Sequence, residues 1–231
     1  IRITLSSSGR NPRPGEITLA HRGVLFLDEM PEFSRRSLEI LRQPLEDKVI
    51  RISRVYGTYD FPADFMLCAA MNPCPCGHYP DMNRCRCTPA QVMQYLGRIS
   101  QPLLDRLDLC AEVSPVDFEG LSSGRKGEST QTIRERVICA QDIQRERYKI
   151  EGIQFNGELS GAQIEKYCKM EKDARQLLKM AFQNMPFSAR AYHRILKVAR
   201  TIADMEATES IHRHHIAEAL SYRAFDKKYW N

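Results

Sequence analysis

The stretch Val24-Leu25-Phe26-Leu27-Asp28-Glu29 constrains this chain more than any other: four apolar residues run straight into two adjacent carboxylates. An unbroken apolar run of that length suits a strand buried on both faces, as in a parallel sheet. Two carboxylates at the end of such a strand are costly to bury unless a cation or a reaction uses them. A nucleotide-hydrolysing site is one such use. There the first acid holds Mg²⁺ and the second polarises the attacking water. The alternative is a strand end whose acids face solvent or cap the next helix.

The rest of the chain supports an α/β protein with a helical C-terminal part. Ser6 to Gly15 is a polar, breaker-rich loop, and Glu16 to His21 suits a short helix. Ser34 is placed to cap a helix running to about Glu46, with Leu38, Ile40, Leu41 and Leu45 on its apolar side. Val49 to Ser53 and Thr58 to Phe61 suit a hairpin around Tyr56-Gly57. Phe65 to Met71 is a second buried-strand candidate and Leu109 to Val113 a third. Strands alternating with helices point to a parallel α/β sheet. Ser122 to Ser129 reads as a linker. Beyond it, Ile133–Tyr148, Ser160–Cys168, Asp173–Asn184, Ala189–Met205 and His214–Phe225 all carry helical spacing, so the last third is an all-helical bundle.

Composition narrows the partners. With 231 residues, 42% hydrophobic and 27% charged, the chain suits one large domain or two small ones. A net charge of +5 permits nucleic-acid binding without requiring it. No apolar run approaches the roughly 20 residues of a membrane span, and Ile1 to Gly15 has no signal-peptide core. The expectation is a cytoplasmic protein. Of eight Cys, Cys74, Cys76, Cys85 and Cys87 fall within 14 residues. In a reducing compartment such clustering suggests metal rather than disulfides. The pattern C-x-C-x8-C-x-C suits a structural Zn²⁺, with His78 an alternate ligand and reduced thiols or an iron–sulfur cluster as alternatives.

Several further residues suit nucleotide chemistry. Asn72 ends the second strand candidate, where a polar side chain would lie beside the attacking water; a turn former is the plainer alternative. Arg106 sits between Asp105 and Asp108 and could reach a neighbouring subunit's γ-phosphate, or pair with those acids. Arg98 competes for that role. Arg190 opens the longest helix of the bundle, a poor place for a cation unless it faces an external anion. Lys48, Arg51 and Arg54 lie on the hairpin, where alternation puts Arg51 and Ser53 on one face and Ile50 and Ile52 on the other. Such cations could follow a phosphate backbone or simply be solvated. Arg134, Arg136, Arg145, Arg147 and Lys149 alternate with acids and read as a solvated helix face. His212, His214 and His215 read as a helix cap rather than a metal site.

The chain resembles the magnesium-chelatase-like AAA+ ATPases of the ComM/YifB type. The resemblance rests on Pro12-Arg13-Pro14-Gly15-Glu16-Ile17, Ala20 to Glu29, Leu41-Arg42-Gln43-Pro44-Leu45-Glu46-Asp47, Ala70 to Gly77, Pro102-Leu103-Leu104-Asp105-Arg106 and Ser188 to Asp204, in order along most of the chain. It implies a partial AAA+ core, an αβα P-loop fold, over residues 1–121 with a Cys-rich insert at about 73–88. A linker at 122–129 and a helical lid at 130–231 would follow. It further implies that Asp28 and Glu29 are the Walker B pair, Asn72 sensor 1, Arg106 the arginine finger and Arg190 sensor 2. ATP and Mg²⁺ would be cofactors, the assembly a ring hexamer, and the function DNA branch migration during DNA uptake and recombination. A chelatase-type ATPase that remodels a protein partner during metal insertion into a tetrapyrrole is the alternative, and an inactive zinc-bearing scaffold a third. The hairpin would then be the pore hairpin of related motors. One departure is large: no G-x-x-x-x-G-K-[ST] occurs, and that loop supplies the phosphate-binding amides and Lys. The expectation is a C-terminal fragment that by itself binds ATP weakly or not at all.

Overall fold

A computed structural model describes residues 13–54, 57–113, 127–184 and 187–223, without the Arg54 side chain. Ser6 to Pro12, Tyr56 and most of the Ser122–Ser129 stretch lie outside the described residues. The chain forms two compact units, one ending at Leu107 and the other starting at Asp108.

The first unit begins with α1 (Glu16–Leu19) and β1 (Val24–Leu27), followed by a 3₁₀ turn over Met30–Glu32. Two short helices come next, α2 (Arg35–Ile40) and α3 (Arg42–Asp47). Ser34 caps α2 by accepting the Ser37 N–H at 3.1 Å. The single helix expected from Ser34 to Glu46 is broken after Ile40, and Pro44 is the reason. Proline has no N–H for the carbonyl four residues back, and its ring clashes with that carbonyl. The residue four back is Ile40, where α2 stops. Strands β2 (Val49–Arg54) and β3 (Gly57–Pro62) form an antiparallel hairpin. Ile50 faces Phe61 and Ile52 faces Tyr59, while Arg51 faces Asp60 and Ser53 faces Thr58. Alternation along each strand thus separates an apolar face from a polar one. Strand β4 (Met66–Ala69), α4 (Pro89–Leu96) and α5 (Gln101–Leu104) complete the unit.

Strands β1 and β4 pair in parallel, with Leu27 opposite Ala69. Leu27, Ile17, Met30, Leu38, Leu41, Leu103 and Leu104 form the buried core, with Leu25 and Leu67 packed against it. The expectation that both strands are buried on both faces does not hold. Val24 and Phe26 are each 58% exposed and Met66 is 67% exposed. The sheet has two strands among the described residues, and the helices of this core cover one of its faces. Leu109 to Val113, the third strand candidate, forms no strand. Among the described residues it meets no strand partner; the Cys110 N–H bonds instead to the Tyr222 carbonyl at 3.1 Å. An apolar run becomes a strand only where a ladder is offered to its backbone.

The second unit is helical: α6 (Thr130–Arg147), a 3₁₀ turn at Asn156–Glu158, α7 (Gly161–Tyr167), α8 (Lys172–Asn184), α9 (Ala189–Met205) and α10 (Arg213–Ser221). Helix α9 runs through its middle, burying Ala191, Ile195, Leu196, Ala199, Ile202 and Ala203. That spacing is the apolar stripe of a helix facing a core. Asp204 is buried on the same helix and accepts from Arg147 Nη1 (2.9 Å), Arg200 Nε (3.1 Å) and Asn156 Nδ2 (2.8 Å). A buried charge satisfied this fully is tolerated, because each lone pair lost from water is replaced.

Candidate functional site

Parallel pairing brings the carboxyl ends of β1 and β4 side by side. Asp28 and Glu29 leave β1 just past the Leu27–Ala69 pair. Asn72 lies three residues beyond Ala69. The Ala70 N–H donates to the Leu27 carbonyl at 2.9 Å and the Met30 N–H to the Ala70 carbonyl at 3.0 Å. These two bonds carry the ladder past the strand ends and hold both loops together. The carboxyl edge of a parallel sheet is where α/β folds place their ligands.

Glu29 has a left-handed backbone, φ 49° and ψ 47°. A non-glycine residue pays about 1–2 kcal/mol for that geometry. The Glu29 N–H is turned onto Asp28 Oδ1 at 2.9 Å. Both side chains are exposed, and neither carboxylate has an ion-pair partner among the described residues. The expected cost of burying the pair therefore does not arise. The acids stand open at the sheet edge, free to take a cation.

The turn after Glu29 is gripped from α4. Arg98, one residue past Gly97 at the end of that helix, donates from Nη1 to the Pro31 carbonyl at 2.7 Å and to Glu32 at 3.2 Å. Tyr95 is buried on α4. Burial pushes its phenol pKa up, and the charges of Glu32, Cys74 and Glu29 push the same way. Sequence reading missed Tyr95. The available signal was its place on one face of α4 with Val92 and Leu96, directly after the Cys cluster.

The four clustered Cys meet. Cys74 Sγ lies 3.4 Å from Cys76 and 3.8 Å from Cys85, and Cys76 lies 3.6 Å from Cys85. All four sulfurs, Cys87 included, lie within 4.8 Å of one another. A tetrahedron with bonds of about 2.3 Å to sulfur has edges of about 3.8 Å. The donor set therefore fits a Zn²⁺-sized soft cation. Backbone N–H groups already favour negative sulfur here: Tyr79 donates to Cys74 Sγ at 3.4 Å. Hydrogen bonds from the His78 and Arg86 backbones lower the Cys76 pKa to about 6. Burial, with the neighbouring sulfurs, pushes Cys87 up to about 12.

A second cluster joins Glu206, His214 and His215. His215 Nδ1 accepts the His212 N–H at 3.0 Å, which closes a capping box on α10. Its proton therefore sits on Nε2, 2.9 Å from Glu206. A protonated ring nitrogen has no lone pair for a metal, and His215 serves here as part of the cap on α10.

The remaining candidates are dispersed. Arg106 is tucked down in this chain, its side chain 8% exposed. Nη1 donates to the Pro102 carbonyl at 2.6 Å and Nη2 to Glu46, not to Asp105 or Asp108. Arg51 binds Asp60 with two bonds, 2.9 and 3.0 Å, across the hairpin. Lys48 pairs with Asp64 at 3.1 Å. Arg190 is exposed in the first turn of α9, within the second unit.

Comparison with known proteins identifies the family. The family model described as magnesium chelatase, subunit ChlI, matches residues 2–121, and the model for its C-terminal part matches 127–223. The chain is 48% identical to the uncharacterized protein YifB of Salmonella typhimurium and 47% identical to competence protein ComM of Haemophilus influenzae, each over 221 residues. Both matches cover 95% of this chain and 42% of the relative, so the chain spans about two-fifths of the length of these proteins. YifB of Escherichia coli is 46% identical over the same length.

Proposed function

The chain belongs to the magnesium chelatase ChlI family of AAA+ type, and from that premise we propose that the protein is an ATP-hydrolysing motor. The observation that carries this is the shared carboxyl edge of β1 and β4, where Asp28, Glu29 and Asn72 converge. In the proposed roles Asp28 holds Mg²⁺, and Glu29 takes the proton of the attacking water. Asn72 orients that water. Mg²⁺ would neutralise charge on the phosphates. The open, unpaired acids fit such a cation. The chain itself has no Walker A pattern, so the phosphate-binding amides and Lys are assigned to residues outside it.

In the same proposal Arg106 is the arginine finger. Reaching a neighbour's nucleotide would mean leaving Glu46, an exchange of one anion for another of higher charge. Arg190 is sensor 2 and residues 130–231 form the lid. The assembly is a ring hexamer in the cytoplasm. The four thiolates hold one structural Zn²⁺, which their separations fit.

The proposed substrate is DNA, moved by branch migration in uptake and recombination. A name of competence protein on a 47% identical relative supports this. Lys48, Arg51 and Arg54 would be the contacts. Lys48 and Arg51 now pair with Asp64 and Asp60; exposed pairs of this kind are weak enough to yield to phosphate. The family model's description supports a second reading, an ATPase that remodels a protein partner during metal insertion into a tetrapyrrole. ATP turnover of the full-length protein with and without branched DNA separates the two. Stimulation supports the DNA motor; unchanged turnover favours the chelatase-type ATPase.

A further inference from the structure

The sulfur cluster and the acid pair sit on one continuous piece of structure. Cys74 follows Asn72 by two residues and is fully buried. It packs with Val92, Tyr95 and Leu96 of α4, and Met71 lies against the same cluster. Gly77, in the loop between the two Cys pairs, takes φ 80°, and a Cβ there would lie 4.0 Å from the Asn72 amide. The loop that holds the sulfurs thus borders the Asn72 side chain. From the other end of α4, Arg98 bonds to Pro31 and Glu32 in the turn that follows Glu29. Tyr95, between these points, is within electrostatic reach of Glu32 and Glu29.

We propose that the metal-loaded four-thiolate centre positions the hydrolytic half of the site, through Asn72 on one side and through Tyr95 and Arg98 on the other. Tyr95 and Arg98 are positioning residues in this scheme. Without the metal, only weak backbone and thiol hydrogen bonds hold the four sulfurs together, and the Cys74–Tyr95 packing loosens. Asn72 and the left-handed Glu29 then lose their fixed places. Metal occupancy would therefore govern turnover but not nucleotide affinity, because no residue on this path belongs to the phosphate-binding loop. This rests on the ATPase function and zinc centre proposed above.

The test uses the full-length protein. Zinc is stripped with a chelator under reducing conditions and then restored, while metal content, kcat and affinity for a fluorescent ATP analogue are followed. The expected result is about one zinc per chain and a kcat that falls on the order of tenfold on stripping. Both return on restoring zinc, with analogue affinity unchanged throughout. Cys85→Ser/Cys87→Ser should behave as the stripped protein. Should that variant fail to fold, Tyr95→Ala and Arg98→Ala give the second arm: zinc stays bound and kcat falls, while Tyr95→Phe keeps most of it. Turnover indifferent to zinc, affinity lost in step with turnover, or a protein that purifies without bound metal would each overturn the coupling. Glu29→Gln is assayed alongside. If it abolishes hydrolysis while zinc removal does not, the coupling alone fails. If it leaves hydrolysis intact, the assignment of the acid pair fails and the coupling with it.

Discussion

In the helical unit the decisive charges are inside. Asp204, 1% exposed, is held by Arg147, Arg200 and Asn156, and Asn156 in turn accepts from the Tyr148 hydroxyl. Every partner is supplied by the same unit. In the sheet-bearing unit the decisive charges are outside: Asp28 and Glu29 stand at an exposed edge without an ion-pair partner among the described residues. The open face of its two-stranded sheet also leaves Val24, Phe26 and Met66 exposed. The difference separates groups whose partners the chain provides from groups left open to an outside partner. Saturated polar networks maintain a fold; unsaturated acids at a sheet edge are available for chemistry.

Four substitutions bear on that contrast. Asp204→Ala should have the largest effect on stability. It leaves the Arg200 and Arg147 guanidiniums without their carboxylate, a loss of about 3–5 kcal/mol readable from urea unfolding followed by circular dichroism. A loss no greater than that of an exposed substitution would erase the distinction. Next come two neighbours in β1. Leu27→Ala, in the core, should cost about 2–5 kcal/mol. Phe26→Ser, on the open face, should stay within about 0.5 kcal/mol. Equal costs would mean that face is covered. The smallest effect concerns pH. Hydrogen bonds from Lys166, then Tyr167 and Gln163, lower the Glu151 pKa from 4.5 to about 2. A depressed carboxylate stabilises the fold above its unfolded pKa, and that contribution is lost as pH falls from 4.5 towards 2. Glu151→Gln should flatten the pH dependence of the urea midpoint across that window. An unchanged slope would show that Glu151 does not bear the load.

What the sequence made legible was periodic or chemical. Helix α9 begins after the Ser188 cap and ends at Met205, as its apolar spacing indicates. The β1–β4 pairing was readable because both candidates are apolar runs followed by polar residues, and the Cys cluster because its four thiols are close in sequence. What stayed hidden depends on partners far along the chain. Leu109 to Val113 has strand composition and no strand to pair with among the described residues. The apolarity of Val24 and Phe26 says nothing about whether a second layer covers them. Arg106 stands beside two acids and pairs with Glu46 instead, sixty positions away, which local spacing cannot reveal. The break at Ile40 was open to view in Pro44, and the apolar side formed by Leu38, Ile40, Leu41 and Leu45 masked it.

The assignment of Asp28 and Glu29 to metal binding and water activation is tested most directly by Glu29→Gln in the full-length protein, with ATP turnover and nucleotide binding measured on the same preparation. The variant should bind nucleotide as the parent does and hydrolyse it slower by about 10²–10⁴-fold, the usual contribution of a general base. Binding and hydrolysis both at the parental level would contradict it.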